Sequence, residues 1–503
     1  MHTSQKRFLT LALASLLLLV SCGESAVNDS GETSPAAGTS TPSEVSSTPE
    51  ESAAEEEVEV DYINVLASTY NDDIKKELGL DGYKSVLLLR DTGSMWSNPD
   101  IIAEETTGDR LNDAVYNRNE YLRNTFGFTL EAQYSSGDGN ELKTAYTAGD
   151  STYDFAFPQA RAAAGMAQSG VLLDLAKVNY LDLENPTWSQ MFVNMLTYKG
   201  KLFYATGDIS VNTYEAVRGL LFNKQIRVDN NLDDPYSLVR EGEWTLDAFD
   251  TMCRSSHLDL DGDGAMTTKD QWGMAWQSAK GGIVFYYGSG EHLTEIGEDQ
   301  VPVLSVGTER SYDVFAKVRD MISDNTAYYQ GGDQEILDIF REGRSLFMTE
   351  VLYHANSMRQ SDIEFGILPM PKYDTAQEYY IQCADGYCVS PAVIPATTAN
   401  ADRSGFIVEA LAEASCTMIK PEYYEVILKS KLSRDEESGE MLDIIYKNFV
   451  IDNADIYQWG GLENSLSTAM NNGKDLASAL ASSTKLLTKA MDKTFKAFDE
   501  AGQ

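Results

Sequence analysis

The stretch Lys84-Ser85-Val86-Leu87-Leu88-Leu89-Arg90 runs directly into Asp91-Thr92-Gly93. The apolar run is short, continuous and bounded by charged residues, which is typical of a strand buried on both faces of a parallel sheet. The acidic and glycine-containing residues behind it predict a loop. This stretch therefore predicts the first strand of a parallel sheet, with a loop at its carboxyl end.

Helix-like and strand-like stretches alternate after this strand. Leu111, Val115, Leu122 and Phe126 recur at helical spacing, and Gly127 is placed to end that helix. Further along lie a strand-like run at 129–134, another at 153–158 and a helix-like run at 161–169. The alternation predicts an α/β fold with a mainly parallel sheet.

Length and charge narrow the class of protein. About 440 residues follow position 62, which is more than one hydrophobic core comfortably holds, so we expect two lobes. The formal net charge is -39. Nucleic-acid binding needs clustered Lys and Arg, so a nucleic-acid partner is not expected. The charge suits a soluble, monomeric, exported protein.

The N-terminus has the pattern of a secretory signal. Lys6 and Arg7 precede an apolar run from Phe8 to Val20, which is too short for a membrane span. The run ends in Leu19-Val20-Ser21-Cys22, which resembles the lipobox of bacterial lipoproteins. We expect residues 1–21 to be a lipoprotein signal peptide and Cys22 to carry the lipid. The alternative is an ordinary signal peptide with a chance cysteine.

Residues 22–62 predict a tether. They are rich in Ser, Thr, Pro, Ala and Glu and contain no Lys or Arg, so they cannot bury enough apolar surface to fold. Mutual repulsion of the acidic residues extends such a segment. We expect a disordered, lipid-anchored stalk that holds the folded body at the extracytoplasmic face of the cell membrane. A disordered tail without function is the alternative.

The cysteine pattern does not indicate a disulfide framework or a zinc site. Four cysteines besides Cys22 are scattered along the chain. Cys383 and Cys388 flank Ala-Asp-Gly-Tyr, and a turn there would allow a bridge between them. The sequence leaves open whether these two thiols are bridged or free.

An acidic loop at 259–270 has calcium-binding spacing. Aspartates fall at loop positions 1, 3, 5 and 12, and Gly264 at position 6 allows a sharp turn. The expected ligands are Asp259, Asp261, Asp263, the Ala265 carbonyl, Thr267 and Asp270. Asp270 replaces the usual bidentate Glu, which shortens its reach. We expect calcium as a structural ion, and the alternative is a solvated Asp/Gly turn.

Several blocks in order along the body resemble one family. They are Asp91 to Trp96, Thr147-Ala148-Gly149-Asp150 before Tyr153-Asp154-Phe155, Ala167 to Leu172, Lys199 to Leu202, Leu221-Phe222-Asn223-Lys224, Trp244-Thr245-Leu246 and Phe340 to Met348. Together they are similar to the extracellular solute-binding proteins of ABC importers, family 1, the maltose-binding-protein-like group. The order of Thr and Trp in the sixth block is reversed relative to the family. The resemblance covers about 80–500.

The resemblance implies a two-lobed, periplasmic-binding-protein-like fold of type II, with a hinge between mainly parallel, helix-flanked lobes. The implied N-terminal lobe comprises 63–212 and 351–386, and the implied C-terminal lobe comprises 213–350 and 387–503. Ligand would lie between the lobes, since pockets favour domain interfaces and the ends of parallel strands.

Cleft residues follow from the same resemblance. Sugars need aromatic rings for their C–H faces and amide, carboxylate or guanidinium groups for their hydroxyl edges. The expected ligand contacts are Asp91, Ser94, Trp96, Gln159, Arg161, Asn212, Tyr214, Trp276, Gln277, Glu350, Tyr353, His354, Asp385, Tyr387 and Trp459. Trp244 and Trp272 are expected in the core instead.

The resemblance implies a lipoprotein that captures a carbohydrate, an oligosaccharide, and delivers it to the permease subunits of an importer, without catalysis. The alternative from another class is a surface-anchored glycoside hydrolase that uses paired carboxylates. With 78 acidic residues in the chain, such a pair can always be found, so carboxylates alone favour neither hypothesis. A surface scaffold would more typically show repeats, and none is visible.

Overall fold

The computed structural model describes residues 62–91, 97–98, 100–358, 361–424 and 436–501. The expected signal peptide, the lipid-bearing Cys22 and nearly all of the stalk lie outside the described residues, as do the expected cleft residues Ser94 and Trp96. Among the described helices, none combines the length and apolarity needed to cross a membrane.

Twelve strands can be described, and most of them fall into two main sheets. They are β1 (Lys84–Arg90), β2 (Thr129–Ser135), β3 (Phe155–Phe157), β4 (Arg218–Asn223), β5 (Trp272–Gln277), β6 (Thr294–Ile296), β7 (Pro302–Leu304), β8 (Tyr328–Gly331), β9 (Ser345–Val351), β10 (Phe365–Leu368), β11 (Gln382–Cys383) and β12 (Phe449–Val450). The first sheet has the order β2-β1-β3 and the second has the order β10-β4-β9-β5-β8.

The first sheet confirms the predicted strand. β1 lies at its centre, parallel to β2 and β3, with Lys84 opposite Thr129 and Leu87 opposite Phe155. The side chains of Leu87 and Leu89 are almost fully buried because both faces of β1 are covered. Its carboxyl end delivers Arg90 and Asp91 to one edge of the lobe.

The second sheet is mixed. β5 is parallel to β8 and β9, whereas β4 is antiparallel to both β9 and β10. As a result, the start of β4 and the ends of β5 and β9 lie at the same edge of the sheet. That edge places Arg218, Gln277 and Glu350 near one another.

The lobe boundaries expected from the resemblance need correction. Residues 351–386 were expected in the first lobe, yet β10 within them pairs with β4 of the second sheet. Residues 387–503 were expected in the second lobe, yet Ala392 and Val393 form bridges to Ala205 and Ala156 of the first lobe. The chain thus returns to the first lobe after β11 and crosses again later.

Twenty helices among the described residues flank the sheets. They are α1 (Tyr62–Thr69), α2 (Asp72–Leu78), α3 (Arg110–Phe126), α4 (Asn140–Ala148), α5 (Ala160–Ala167), α6 (Gln190–Leu196), α7 (Asn212–Glu215), α8 (Lys224–Asp229), α9 (Pro235–Arg240), α10 (Leu246–Ser256), α11 (Ile283–Gly288), α12 (Glu309–Ile322), α13 (Asp333–Arg341), α14 (Tyr353–Met358), α15 (Ala401–Met418), α16 (Lys420–Glu422), α17 (Glu436–Lys447), α18 (Asn453–Tyr457), α19 (Leu462–Asn471) and α20 (Leu476–Glu500).

Helix α3 shows why the sequence pattern succeeded. The Asp109 side chain accepts hydrogen bonds from the backbone N–H groups of Leu111 and Asn112, which satisfies two donors of the first turn. Gly127 ends the helix with φ 90°, a left-handed conformation that glycine adopts without strain. The predicted apolar positions face the core of the first lobe.

The C-terminal helix α20 joins the two lobes. Near its start, Leu476 and Ala479 pack in the core of the second lobe. Near its end, the Phe498 ring lies 5.2 Å from that of Phe203 and 5.4 Å from that of Tyr198, both in the first lobe. A short parallel pair, β11 and β12, also lies at the junction.

Candidate functional site

Strand ends from both lobes meet at a charged cluster, which we call the junction cluster. Its cations are Arg161, Arg218 and Lys280, and its anions are Glu350, Asp385, Asp455 and Glu463. Arg161 comes from α5 of the first lobe, directly after β3. The other members come from the second sheet, the turn between β5 and α11, the segment after β11 and the C-terminal helices.

Arg218 lies at the buried centre of the junction cluster. Its guanidinium is 3.2 Å from the Glu350 carboxylate and 2.8 Å from that of Asp385, and Nη2 also donates to Gln277 Oε1 at 3.1 Å. All three charged side chains are at most 4 % exposed. Burial favours a raised pKa for Asp385, but Lys280 and Arg218 outweigh it and hold that pKa below its ordinary value.

Lys280 connects three carboxylates. Its Nζ lies 3.1 Å from Asp455, 2.5 Å from Glu463 and 3.8 Å from Asp385. Burial and the nearby Asp455 raise the pKa of Glu463 to about 7, despite the lysine. The Tyr287 hydroxyl donates to the second oxygen of Glu463 at 2.9 Å. The cluster therefore contains one carboxyl group that titrates near neutral pH.

Asp455 is the link between the lobes. Arg161 Nη2 of the first lobe donates to its Oδ1, and Lys280 of the second lobe contacts the same oxygen. The backbone N–H of Gly386 donates to Oδ2 at 2.7 Å. A single buried carboxylate is thus shared by both lobes and by the segment that crosses between them.

Tyr387 adds an aromatic surface beside the junction cluster. Its side chain is 48 % exposed. The guanidinium carbons of Arg90 and Arg161 lie 5.5 and 5.9 Å from the ring centre, within cation–π range. The Tyr387 backbone N–H donates to Asp385 Oδ1 at 2.9 Å, so the ring position is tied to the cluster.

His354 lies behind Glu350, and its ring is neutral at physiological pH. Burial lowers the pKa of His354 to about 4. Its Nε2 is 3.9 Å from Glu350, and the Tyr353 ring meets it edge-on with the centres 5.7 Å apart. These two residues were expected to contact ligand, and they lie just behind the cluster.

The structure brings together Arg161, Gln277, Glu350, Asp385 and Tyr387 of the expected ligand contacts. Gln159 precedes α5 at the same edge, and its backbone N–H donates to the Gly137 carbonyl. Asp91 lies exposed at the end of β1.

Two expected ligand contacts near the first crossing have structural roles instead. Asn212 is 1 % exposed and ties the crossing to the strand that returns, because it donates to the Cys388 carbonyl and accepts from the Ser390 N–H. Tyr214 packs against the ring of Tyr446, with centres 5.0 Å apart, and its hydroxyl bonds Asp208.

Two expected tryptophan contacts are core residues in this structure. Trp276 is 2 % exposed and packs on the Tyr328 ring inside the second lobe. Trp459 is 1 % exposed, stacks on Tyr457 at 5.0 Å and donates to the Thr494 hydroxyl of α20 at 2.9 Å. The core positions expected for Trp244 and Trp272 are confirmed.

Sequence reasoning did not place Arg218, Asp455 or Glu463 in the site. One signal was present: Arg218 is the only charged residue of β4, a strand in which every residue is buried. Buried arginine is almost always paired, so a lone arginine in such a strand points to facing carboxylates. No local signal marked Asp455, because its partners Arg161 and Lys280 are distant from it in sequence.

The acidic loop brings its aspartates at positions 1, 3 and 5 close together. Carboxylate oxygens of Asp259, Asp261 and Asp263 all lie within 4.8 Å of one another. Asp259 also accepts from the backbone N–H groups of Gly262 and Gly264. Asp270 closes the loop, since one oxygen accepts from Leu260 N–H and the other from Thr267 N–H. These backbone bonds lower the pKa of Asp270.

The cysteine pair left open by the sequence is not bridged. Cys383 and Cys388 are both free thiols and both buried. Burial raises the pKa of the Cys383 thiol to about 12, so the thiol is protonated and unreactive.

Comparisons with known proteins agree with this architecture. A family model described as bacterial extracellular solute-binding protein matches residues 118–415, more than half of the chain. A comparison with curated protein sequences finds no match.

Three solved structures have a similar fold. An ABC substrate-binding protein from Listeria monocytogenes, in complex with cycloalternan, has a TM-score of 0.52 at 12% identity over 83% of this chain and 98% of its own. A cyclo/maltodextrin-binding protein in complex with maltotetraose has a TM-score of 0.53 at 12% identity over 84% and 97%. UspC of M. tuberculosis has a TM-score of 0.52 at 13% identity over 82% and 100%.

The family model and the shared fold point the same way. At these identities the solved structures show the fold alone, whereas the family model covers most of both lobes. The chain belongs to the bacterial extracellular solute-binding proteins, which are binding proteins and not enzymes.

Proposed function

We propose that this protein is the substrate-binding lipoprotein of an ABC importer and that it captures a carbohydrate, an oligosaccharide, between its lobes. Two proteins of similar fold, solved with cycloalternan and with maltotetraose, support the carbohydrate class. The family supports transfer of the bound solute to permease subunits.

The observation that carries the proposal is the junction cluster with Tyr387 beside it. An exposed aromatic ring suits the apolar face of a sugar, and the surrounding carboxylates and guanidinium groups suit its hydroxyl edge. Arg161 of the junction cluster is 24 % exposed, and Tyr387 beside the cluster is 48 % exposed. Since Asp455 is shared by both lobes, a solute bound here touches groups on either side of the hinge.

A binding protein signals its loaded state through the angle between its lobes. A solute that contacts both lobes binds the closed state more tightly than the open one, and that difference drives closure. The short pair β11 and β12 and the crossings beside Asn212 and Asp385 are where the backbone passes between lobes. We infer that these crossings act as the hinge.

The membrane anchor is part of the same proposal. The Leu19-Val20-Ser21-Cys22 pattern supports lipidation at Cys22, and residues 22–62 would let the body move near its importer. Labelling with an alkyne fatty acid in a bacterial host tests the anchor. Label in the wild type that is lost in Cys22→Ser is expected, and equal labelling of both would contradict it.

A thermal-shift screen against sugars tests the solute class. A solute that binds only the native state raises the unfolding temperature, so at least one oligosaccharide should do so. Tyr387→Ala should reduce that shift, whereas Tyr146→Ala, which removes an exposed ring of α4, should leave it unchanged. Shifts from peptides or polyamines, with none from any sugar, would overturn the carbohydrate assignment. Release of shortened sugars would favour the hydrolase alternative.

We also propose that the acidic loop binds calcium as a structural ion. The three clustered carboxylates of Asp259, Asp261 and Asp263 fit a hard cation that prefers oxygen ligands. Asp270 fits less well as a direct ligand, because both of its oxygens already accept backbone hydrogen bonds. A loop with few protein ligands corresponds to a weak site of the extracellular kind.

A further inference from the structure

A separate pocket of about 280 Å³ lies beside the β11–β12 pair. Three parts of the chain line it. Met191 and Met195 come from α6, His292, Thr294 and Glu295 from the lead-in and start of β6, and Tyr379, Ile381, Asn448 and Val450 from the segments around β11 and β12. None of these residues belongs to the junction cluster, although Val450 also lines the small cavity beside Arg218 and Lys280.

One wall of the pocket is rigid. The Asp452 carboxylate accepts hydrogen bonds from Leu293 N–H at 2.8 Å, from Thr294 N–H at 3.1 Å and from the Thr294 hydroxyl at 2.7 Å. The His292 carbonyl accepts from the Ser305 hydroxyl at 2.8 Å. These bonds hold the backbone at 292–294 in place, so this wall is preformed for a ligand.

The remaining walls favour an aromatic ligand. Met191 is 39 % exposed and Tyr379 is 53 % exposed, which is a large apolar surface for a protein of this charge. Methionine sulfur makes favourable contacts with aromatic rings, and Tyr379 offers a ring for stacking.

One polar atom of a lining residue lacks a partner. Nδ1 of His292 is buried and has no hydrogen-bond partner among the described residues. A buried ring nitrogen without a partner costs free energy, and a ligand that donates an N–H or O–H would remove that cost. A neutral imidazole with its proton on Nε2 presents Nδ1 as an acceptor.

We propose that this pocket binds a small planar aromatic molecule bearing one N–H or O–H donor, of the indole or phenol class. The ring lies among Met191, Met195 and Tyr379, and the donor bonds His292 Nδ1. Because the walls come from α6, from the β6 region and from the hinge segments, an occupied pocket also favours one hinge angle over others.

Methyl NMR of methionine-labelled protein tests the pocket, with indole as the probe. Titration should shift the Met191 and Met195 methyl signals saturably, with a dissociation constant of about 1 mM or lower, as is attainable for so small a ring. Met191→Glu should abolish the shift at Met195, because it places a charge in the apolar wall. The matched control is Val228→Glu on α8, where the side chain is 59 % exposed, and it should bind indole as the wild type does.

The hydrogen bond has its own test. Indole should bind about 2- to 10-fold more tightly than 1-methylindole, the range expected for one neutral hydrogen bond. In His292→Phe the two probes should bind equally. Equal binding of both probes to the wild type would overturn the role of His292. Shifts at all methionine signals, or unchanged binding in Met191→Glu, would overturn the pocket itself.

Discussion

The junction cluster and the pair Glu409–Glu413 on α15 bury carboxylates in opposite ways. In the junction cluster, Asp385 and Asp455 lie beside Arg218, Lys280 and Arg161. On α15, the Glu409 carboxylate accepts from the Trp188 indole and the Asp182 N–H, and Asn185 donates to both glutamates at 3.1 and 2.9 Å. These donors are all neutral, and the two glutamates are 2 and 6 % exposed.

The pKa values follow this difference in partners. Burial raises the pKa of Glu409 to about 7 and, together with the charge of Glu409, that of Glu413 to about 8. For Asp455, burial acts in the same direction, but Lys280 and Arg161 outweigh it and lower its pKa. Where only neutral donors are near, burial therefore favours the protonated carboxyl group, whereas the cations beside Asp385 and Asp455 favour the carboxylate.

The contrast explains what each region can do. In the junction cluster, Asp385 and Asp455 keep their charges at neutral pH, so the cluster can present ionic and hydrogen-bonding groups to a solute. The α15 pair is close to neutral in charge and serves to fasten the segment around Asn185 to the first lobe. Four predictions test this contrast, from the largest expected effect to the smallest.

Removing the central cation should cost the most. Arg218→Met leaves Glu350 and Asp385 buried without their shared partner, and breaking a buried pair in this way costs about 3–5 kcal/mol of unfolding free energy. Urea unfolding at pH 7 measures it. The matched control is Arg240→Met, since Arg240 also pairs with two glutamates but on the surface, and this variant should lose far less stability than Arg218→Met. Equal losses for the two variants would contradict the contrast.

Neutralising Glu413 of the α15 pair should stabilise the protein, whereas removing Arg218 should destabilise it. The folded pKa of Glu413 is about 8, above the unfolded value near 4.3, so its contribution to stability is lost as pH rises from about 4.3 to 8. The substituted side chain of Glu413→Gln cannot ionise, so the free energy of unfolding of this variant at pH 8 should be about 1–2 kcal/mol higher than that of the wild type. Below pH 4 the two should be equal. Asp182 and Glu409 face Glu413 and remain in both proteins.

A result would speak against the protonated pair if Glu413→Gln were less stable than the wild type at pH 8. In that case a counter-charge would have to reach the pair in solution. Urea unfolding across pH 4 to pH 8 distinguishes the two outcomes, because the wild type should show a slope that the variant lacks.

The contact between Arg161 and Asp455, which joins the lobes, should contribute less to stability than the buried contacts of Arg218. Arg161 is 24 % exposed, and Asp455 keeps Lys280 when Arg161 is removed. Arg161→Met should therefore cost about 1 kcal/mol in urea unfolding. It should also lower the affinity for the proposed solute, because it removes a first-lobe group beside Tyr387. Arg161→Lys should retain part of the stability and part of the solute affinity. Unchanged solute affinity in Arg161→Met would place the solute away from α5.

Local patterns were enough to predict much of the fold. β1, α3 and α20 each follow from residues close together in sequence: a continuous apolar run, a cap with helical spacing, and an amphipathic repeat. The two-lobed architecture followed from the order of the blocks. What failed was the assignment of 351–386, because the pairing of β10 with β4 depends on a partner some 140 residues away.

The candidate site was harder to predict for the same reason. Arg161, Glu350, Asp385 and Tyr387 were expected in one cleft because each follows a predicted strand or crossing, and the structure places them close together. Trp276 and Trp459 were misplaced, since an indole suits a core as well as a sugar face, and only tertiary packing decides which. Asp455 could be recognised only once Arg161 and Lys280 were seen to converge on it.

The acidic loop completes the comparison with a third arrangement of carboxylates, exposed and held by backbone N–H groups. Its charges need neither a protein cation nor a proton, because water solvates them and Gly262 and Gly264 donate to Asp259. A bound calcium would take the place that Arg218 and Lys280 hold in the junction cluster. For a weak site, millimolar calcium should stabilise the wild type by only about 1 kcal/mol.

The matched variant for calcium is Asp261→Asn. The Asp261 carboxylate belongs to the three-carboxylate cluster and accepts a backbone hydrogen bond from Asp263 N–H. An asparagine amide oxygen can accept the same bond, so the variant should keep its fold but bind calcium more weakly. Calorimetric titration should show heat with calcium in the wild type and much less in the variant, with magnesium giving little in either. Should millimolar calcium give no heat and no thermal shift in the wild type, the loop is a solvated turn that backbone bonds alone maintain.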